Sequence, residues 1–260
     1  MFVNLAAEYA TRLRAALQQV PPAPGAALSA ADAAALPAAV QRHLHRSGAI
    51  GQPPVRSFHI VYDAVMSRQP GQAGLPGRAE QFNVVQPVRR LFFMASRMAG
   101  LPVAVLHDYA GTEASMQVRL ARLFSVADQH DTELARVETV TVLNDLCFWA
   151  PSSLVGPQFR WREVDARHAE VTFSNGAHTV RATLVFDADG DLVDFVSDDR
   201  AQAQRDGSLK RLRWSTPMRE RREFAGRRVP TQGEAIWHRP EGPFVYGRFT
   251  VHGIRFDEIA

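Results

Sequence analysis

The apolar residues of this chain change rhythm several times, and each rhythm predicts a different element. Phe2, Leu5, Ala6, Tyr9, Leu13, Ala16, Leu17 and Val20 recur every three or four residues, which is the spacing of one helical face. Pro21, Pro22 and Pro24 then stop that helix. A second helical segment has Leu36, Val40 and Leu44 as its stripe. Ser29 suits its N-cap, Pro37 the first turn of a continuing or new helix, and Gly48 its stop. From Val55 the period becomes two. Phe58, Ile60, Tyr62, Ala64 and Met66 share one face of a long strand, and His59, Asp63 and Ser67 the other.

A Gly/Pro-rich connection from Pro70 to Gly77 leads to strand-like runs at Glu80–Val85, Val88–Arg97, Val103–Tyr109 and Ala114–Leu120. Arg90-Leu91-Phe92-Phe93-Met94 is apolar on both faces, as expected where a sheet is covered on both sides. Glu133 to Trp149 breaks the alternation and predicts a helix lying across the sheet, ended by Pro151. Strand patterning resumes at Phe159-Arg160-Trp161. It continues through Ala169–Phe173, Thr179–Phe186, Leu192–Ser197, Met218–Phe224, Gly233–His238 and Phe244–Phe256. Asn175-Gly176, Asp189-Gly190, Ala225-Gly226 and Glu241-Gly242 fall at breaks between these runs, which is how consecutive hairpins are written.

About a dozen antiparallel strands cannot stay flat, because strand twist accumulates until the sheet curls. The expected fold is therefore α+β: a long, strongly curved antiparallel sheet in a half-closed barrel. It carries about three helices, two N-terminal and one inserted mid-chain, set against the concave side. Residues 1–24 form an amphipathic helix and its Pro-rich connection, and 25–260 a single α+β domain.

Composition narrows the partners. Thirty basic residues against 27 acidic ones leave a net charge of +3, too small a field for nucleic-acid binding. Glu8 and Gln18 interrupt the cationic face of the first helix, so docking on the domain suits it better than a membrane surface. Glu8, Arg12 and Arg14 also break the apolar run that a signal peptide requires, and the longest apolar runs are too short to cross a bilayer. The expectation is a cytoplasmic, soluble protein. Cys147 stands alone and reads as a small buried hydrophobe.

No complete catalytic, phosphate-binding or metal-binding motif occurs, so no cofactor and no metal are expected. Asp187-Ala188-Asp189-Gly190-Asp191 begins like a calcium loop, but Leu192 stands where the loop needs glycine; a turn explains it better. Arg219, Arg221, Arg222, Arg227 and Arg228 are interleaved with Glu220 and Glu223 and suit cross-strand ion pairs. Glu138, Thr141, Asn144 and Asp145 share a stripe of the mid-chain helix. They either converge on bound material or form a solvated face. Asp198-Asp199-Arg200 after a strand offers a carboxylate pair or a plain solvent-facing end. Glu234 and His238 share a strand face with Trp237 opposite, while His107 and Asp108 point apart.

Several of these segments resemble a family of uncharacterised bacterial proteins. They are Leu36-Pro37-Ala38-Ala39-Val40-Gln41-Arg42 through Ser47-Gly48-Ala49, Met98-Ala99-Gly100-Leu101-Pro102-Val103, and Glu138 through Asp145. Asp198-Asp199-Arg200, Trp214-Ser215-Thr216-Pro217 and Gly233-Glu234-Ala235-Ile236-Trp237-His238 complete the set. The helix-rich start, long meander and inserted helix are also similar to the half-closed barrel of Lol-type lipoprotein carriers. That resemblance implies an apolar or amphipathic ligand, such as a lipid, held between sheet and helices. Its polar contacts would be Glu138, Asn144, Asp145, Asp198, Arg200, Trp214, Glu234 and Trp237. The alternatives are an enzyme using Glu138, Asp145, Asp198 and Glu234 in the same groove, and an interaction protein whose groove is filled.

Overall fold

The computed structural model describes residues 4–22, 25–121, 123–130, 132–203 and 209–258. Helices α1 (Leu5–Leu17) and α2 (Ala38–Arg46) precede six strands: β1 (Ser57–Met66), β2 (Leu75–Val84), β3 (Arg89–Met98), β4 (Leu101–Ala110), β5 (Glu113–Leu120) and β6 (Phe124–Gln129). Helix α3 (Thr132–Trp149) and a short 3-10 helix, Pro151–Val155, separate them from the second series. That series runs β7 (Phe159–Asp165), β8 (His168–Asn175), β9 (His178–Phe186), β10 (Leu192–Ser197), β11 (Ala201–Ala203), β12 (Leu209–Arg211), β13 (Arg213–Ser215), β14 (Met218–Phe224), β15 (Arg227–Arg239) and β16 (Gly242–Phe256).

One antiparallel sheet of 14 strands dominates, in the order β6-β5-β4-β3-β2-β1-β16-β15-β13-β10-β9-β8-β7, with β14 paired to β15. The two arms are joined by β1 against β16, where Phe58 stands opposite Phe256. The sheet does not close, because β6 and β7 do not pair, yet it curls far enough for its arms to touch. Asn175, at the end of β8, donates to Tyr109 Oη on β4 at 2.7 Å, and His178 on β9 lies 3.2 Å from the carbonyl of Thr112. All four glycine dipeptides expected at hairpin breaks are turns. Gly176, Gly190, Gly226 and Gly242 have positive φ, which costs glycine nothing.

Helix α3 fills the concavity. Every residue from Val137 to Trp149 is buried, so the helix is enclosed rather than laid across a surface. Val140, Leu143, Leu146 and Phe148 join Phe58, Ile60, Tyr62 and Ala64 of β1, together with Phe173, Leu184 and Phe195 from the other arm, in one core. The β1 face marked by period-two spacing is the inward face.

Two expectations are corrected. Helix α1 lies on the outside of the curl, not its concave side. Leu5, Tyr9 and Ala16 pack on Phe82, Val84, Leu91 and Leu106, which β2–β4 present outward. The cause is the apolar character of those strands on both faces: each buried Leu or Phe there contributes ~1.5–3 kcal/mol when covered. Arg12 secures the helix through Asp108 at 2.7 Å. The second helix also starts later than Ser29 suggests. Ser29 and Asp32 cap each other, with Ser29 N to Asp32 Oδ2 at 2.8 Å, but the residues that follow form turns. Pro37 caps a new helix at Ala38, and Gly48 ends it at φ 72°, where a Cβ would strike the carbonyl oxygen of Gly226. Strands β6, β11, β12 and β13 have no counterpart in the sequence pattern because they are short or lack alternation. Among the described residues, no helix is long and apolar enough to cross a membrane.

Candidate ligand-binding cavity

The curl leaves a cavity of about 290 Å³ between α3 and the strands on either side of the β1–β16 seam. Ligand sites span ~300–1,000 Å³, so this one lies at the lower limit of that range, large enough for a small ligand. Its walls are largely apolar: Tyr62, Phe92, Met94, Val105, Trp214 and Phe249 are representative. One polar cluster lies where inward positions of β2 and β3 meet the stripe of α3, and Arg200, Thr216, Thr231, Gln232 and Glu234 add polar groups on the other arm.

Strand register builds that polar patch. Asn83 sits opposite Arg90, and Gln81 opposite Phe92, so Gln81, Asn83 and Arg90 all face inward while Phe82, Leu91 and Phe93 face α1. Three residues along β4 from Ala110, the partner of Arg89, the register sets His107 against Phe92, with ring centroids 5.5 Å apart. Arg90 anchors the group. Its Nε donates to Asp145 at 2.8 Å, Nη1 to Glu138 at 3.3 Å and Nη2 to Gln81 at 3.1 Å. Gln81 Nε2 donates to Asp145 at 2.7 Å, and Tyr62 Oη donates to Gln81 Oε1 at 3.2 Å.

The two carboxyls of this network diverge. Burial pushes both up. For Glu138, the contact with His107 and the charges of Arg90 and Arg200 outweigh burial and hold it at about 2. For Asp145, burial prevails over Arg90, and its carboxyl is raised. Glu138 is therefore a fixed anion between three bases: Arg90, His107 at 3.9 Å and Arg200 at 3.7 Å.

The expected site residues divide. Glu138, Asn144, Asp145, Arg200, Trp214 and Glu234 line the cavity. Thr141 accepts from Arg200 Nη1, and Asn144 Nδ2 donates to Thr216 Oγ1 at 2.7 Å. The α3 stripe thus faces the cavity, not solvent. Asp198 and Trp237 are not among the lining residues. Asp198 is exposed and paired with Arg213 at 2.9 Å, and Trp237 stacks behind the wall on Tyr246 at 5.7 Å. Glu234 sits at the rim with Arg248 at 3.1 Å and Arg219 at 3.5 Å, and His238 bonds Ser215 at 2.8 Å instead of pairing with it. The carboxylates proposed for catalysis are therefore split: Glu138 and Asp145 meet through Arg90, while Asp198 and Glu234 serve other arginines.

His107 and Asp108 do point apart, inward to Glu138 and outward to Arg12 and Arg89. The basic cluster on β14–β15 finds other acids than its neighbours Glu220 and Glu223: Arg221 and Arg228 pair with Asp191, Arg219 with Glu234. Asp187 Oδ1 accepts from Asp189 N and Asp191 N, so that segment is a turn held by its own backbone. Among the described residues, no group of three His, Cys, Asp or Glu side chains is placed to hold a metal. Arg90, Gln81 and Asn83 are missing from the sequence reading, and His107 enters it only as a residue that points away from Asp108. The available signal was that Gln81 and Asn83 put amides two residues apart on the strand face they share with Leu75, Gly77 and Ala79.

An open antiparallel sheet curled round one enclosed helix, with a cavity beside that helix, defines the class: a half-barrel with an internal lid. The chain belongs to the family of unknown function DUF6544, whose model matches residues 26–249. No curated protein matches the sequence. Similar solved structures include a DUF1329 family protein from Desulfovibrio piger, with TM-score 0.47, 13% identity, and coverage of 85% of this chain and 92% of that one. A LolA superfamily protein from Nitrosomonas europaea has TM-score 0.47 and 11% identity, covering 85% of this chain and 94% of the other.

Proposed function

We propose that this protein binds a small apolar or amphipathic molecule, of the lipid class, non-covalently in the cavity beside α3. The observation that carries this reading is a cavity whose walls are mainly hydrocarbon and aromatic, with the buried acids of α3 held by Arg90 and Gln81. Apolar surface left facing an unfilled space forgoes contacts and burial, so a lining of this kind favours an apolar occupant. The polar patch is largely bonded to itself, through Arg90 and Gln81, and so serves as a rigid floor.

Two measurements test the reading. Native mass spectrometry of the purified protein is expected to show an adduct that organic solvent removes. The neutral dye N-phenyl-1-naphthylamine is expected to gain fluorescence on saturable, one-to-one binding. A protein that yields no adduct and leaves the dye unchanged does not use this cavity for such ligands.

A further inference from the structure

Two arginines face the cavity, and they differ sharply. Arg90 donates from all three nitrogens to protein acceptors. Arg200 is nearly as enclosed, with a side chain 12% exposed, but its hydrogen bonding is incomplete. Nη1 donates to Thr141, and Nε has no partner among the described residues. Nη2 stands 3.7 Å from Glu138 Oε1, beyond a good hydrogen bond. A guanidinium has five donors, and enclosed charged groups normally satisfy theirs.

Its position is nonetheless fixed. The guanidinium lies over Trp214 at 4.4 Å and near Trp237 at 5.8 Å, so stacking holds its plane while Nη2 has no acceptor at a good hydrogen-bond distance. Across the same Glu138 oxygen, His107 Nδ1 is 3.9 Å away, again short of a hydrogen bond. Arg200 Nη2 and His107 Nδ1 thus flank one carboxylate oxygen, each beyond good hydrogen-bond distance of it. Glu138 is paired through its other oxygen with Arg90 at 3.3 Å, so Arg200 does not have that carboxylate to itself.

We propose that the ligand is an amphipath with an acidic oxygen head, a carboxylate or a phosphate monoester, that docks on the Nη2 edge of Arg200 beside His107. Its hydrocarbon part lies along Phe92, Val105 and Phe249. This inference rests on the reading of the cavity as a binding site and adds the charge of the head. A charge-assisted hydrogen bond from a guanidinium N–H to an acidic oxygen is roughly twice as strong as a bond to a neutral alcohol.

The test displaces N-phenyl-1-naphthylamine from the full chain with decanoate, decyl phosphate, 1-decanol or decylamine. Decanoate or decyl phosphate is expected to displace the dye at a concentration at least tenfold below that of 1-decanol, and decylamine to be weakest. Whichever acid leads identifies the head. In Arg200→Gln the acid-to-alcohol ratio is expected to fall below threefold, and Arg200→Lys to retain part of it. The proposal is overturned if 1-decanol equals both acids on the native protein, a result that needs no variant to fold. It is equally overturned if Arg200→Gln unfolds at the native temperature and keeps the full ratio. Failure of the dye itself to bind overturns the cavity reading instead.

Discussion

Asn175 donates to the hydroxyl of Tyr109 at 2.7 Å, although the two residues lie on opposite arms of the sheet. Tyr109 lies 2.9 Å from Thr139 of α3, and Thr139 donates to the carbonyl of Ala135. One relay therefore ties both arms to the enclosed helix. Asn175→Ala is expected to lower stability by ~1–3 kcal/mol, the cost of leaving enclosed polar groups short of a partner. Gly176→Ala is expected to cost at least as much, because φ is +55° and a Cβ would strike Thr112. Urea unfolding followed by tryptophan fluorescence measures both.

Arg90 is fully buried between two acids, and removing it strands them. Arg90→Met is expected to destabilise the fold by about 3–5 kcal/mol, the usual penalty for breaking one side of a buried ion pair. Arg90→Met combined with Asp145→Leu is expected to recover part of that loss, since an apolar replacement removes a stranded carboxyl. Equilibrium unfolding of the single and double variants decides; additive losses would show that the two groups are not coupled.

Burial pushes Asp194 up from 3.8 to about 6, with the amides of Phe195 and Thr216, both bonded to Oδ1, opposing it. Because the folded value is raised, its contribution is complete below pH 3.8 and is lost as pH rises through about 6. His43 runs the other way. Burial lowers it from 6.5 to about 4 against the opposing bond to the Cys147 carbonyl, so its contribution is present above pH 6.5 and lost as pH falls through about 4. The two slopes oppose each other between these limits. Asp194→Asn keeps an oxygen for both amides, and is expected to be more stable than the native protein at pH 7 while losing stability more steeply on acidification. Urea midpoints between pH 4 and 8 test this; parallel profiles for the two proteins would contradict it.

Val105 lines the cavity from β4 and is only partly buried. Val105→Trp is expected to occupy the space and weaken N-phenyl-1-naphthylamine binding more than tenfold, with a stability change under ~3 kcal/mol. Fluorescence titration together with thermal unfolding separates blocked access from a damaged fold.

Cys147 is completely enclosed on α3, and burial, reinforced by Asp145, raises its thiol. It is expected to resist a thiol-titrating disulfide reagent in the folded protein and to react fully in urea. Rapid labelling of the native state would place Cys147 elsewhere.

Some of this was readable from residue order and some was not. The spacing of Phe58, Ile60, Tyr62 and Ala64 gave an inward face, and the glycine dipeptides gave the hairpins, because strand alternation and turn chemistry are local. The stripe Glu138, Thr141, Asn144 and Asp145 was visible, but whether it met solvent or cavity depended on a sheet enclosing the helix from every side. Arg90 was hidden for a related reason. It stands in the sequence as one of two adjacent arginines, and only its register against Asn83 separates it from Arg89, which joins Asp108 on the outer face. Asp198 looked equivalent to Arg200 two residues away, yet one ends in solvent and the other under Trp214.

The pairing of β1 with β16 governs how this molecule is made. Strand β1 waits for β16, so the two half-sheets emerge with raw borders and have no shared seam until β16 has been made. Such distant pairing slows folding. A product cut short before Gly242 would therefore strand both halves with unsheltered flanks, a substrate for chaperones or for clumping rather than a smaller working version of the protein.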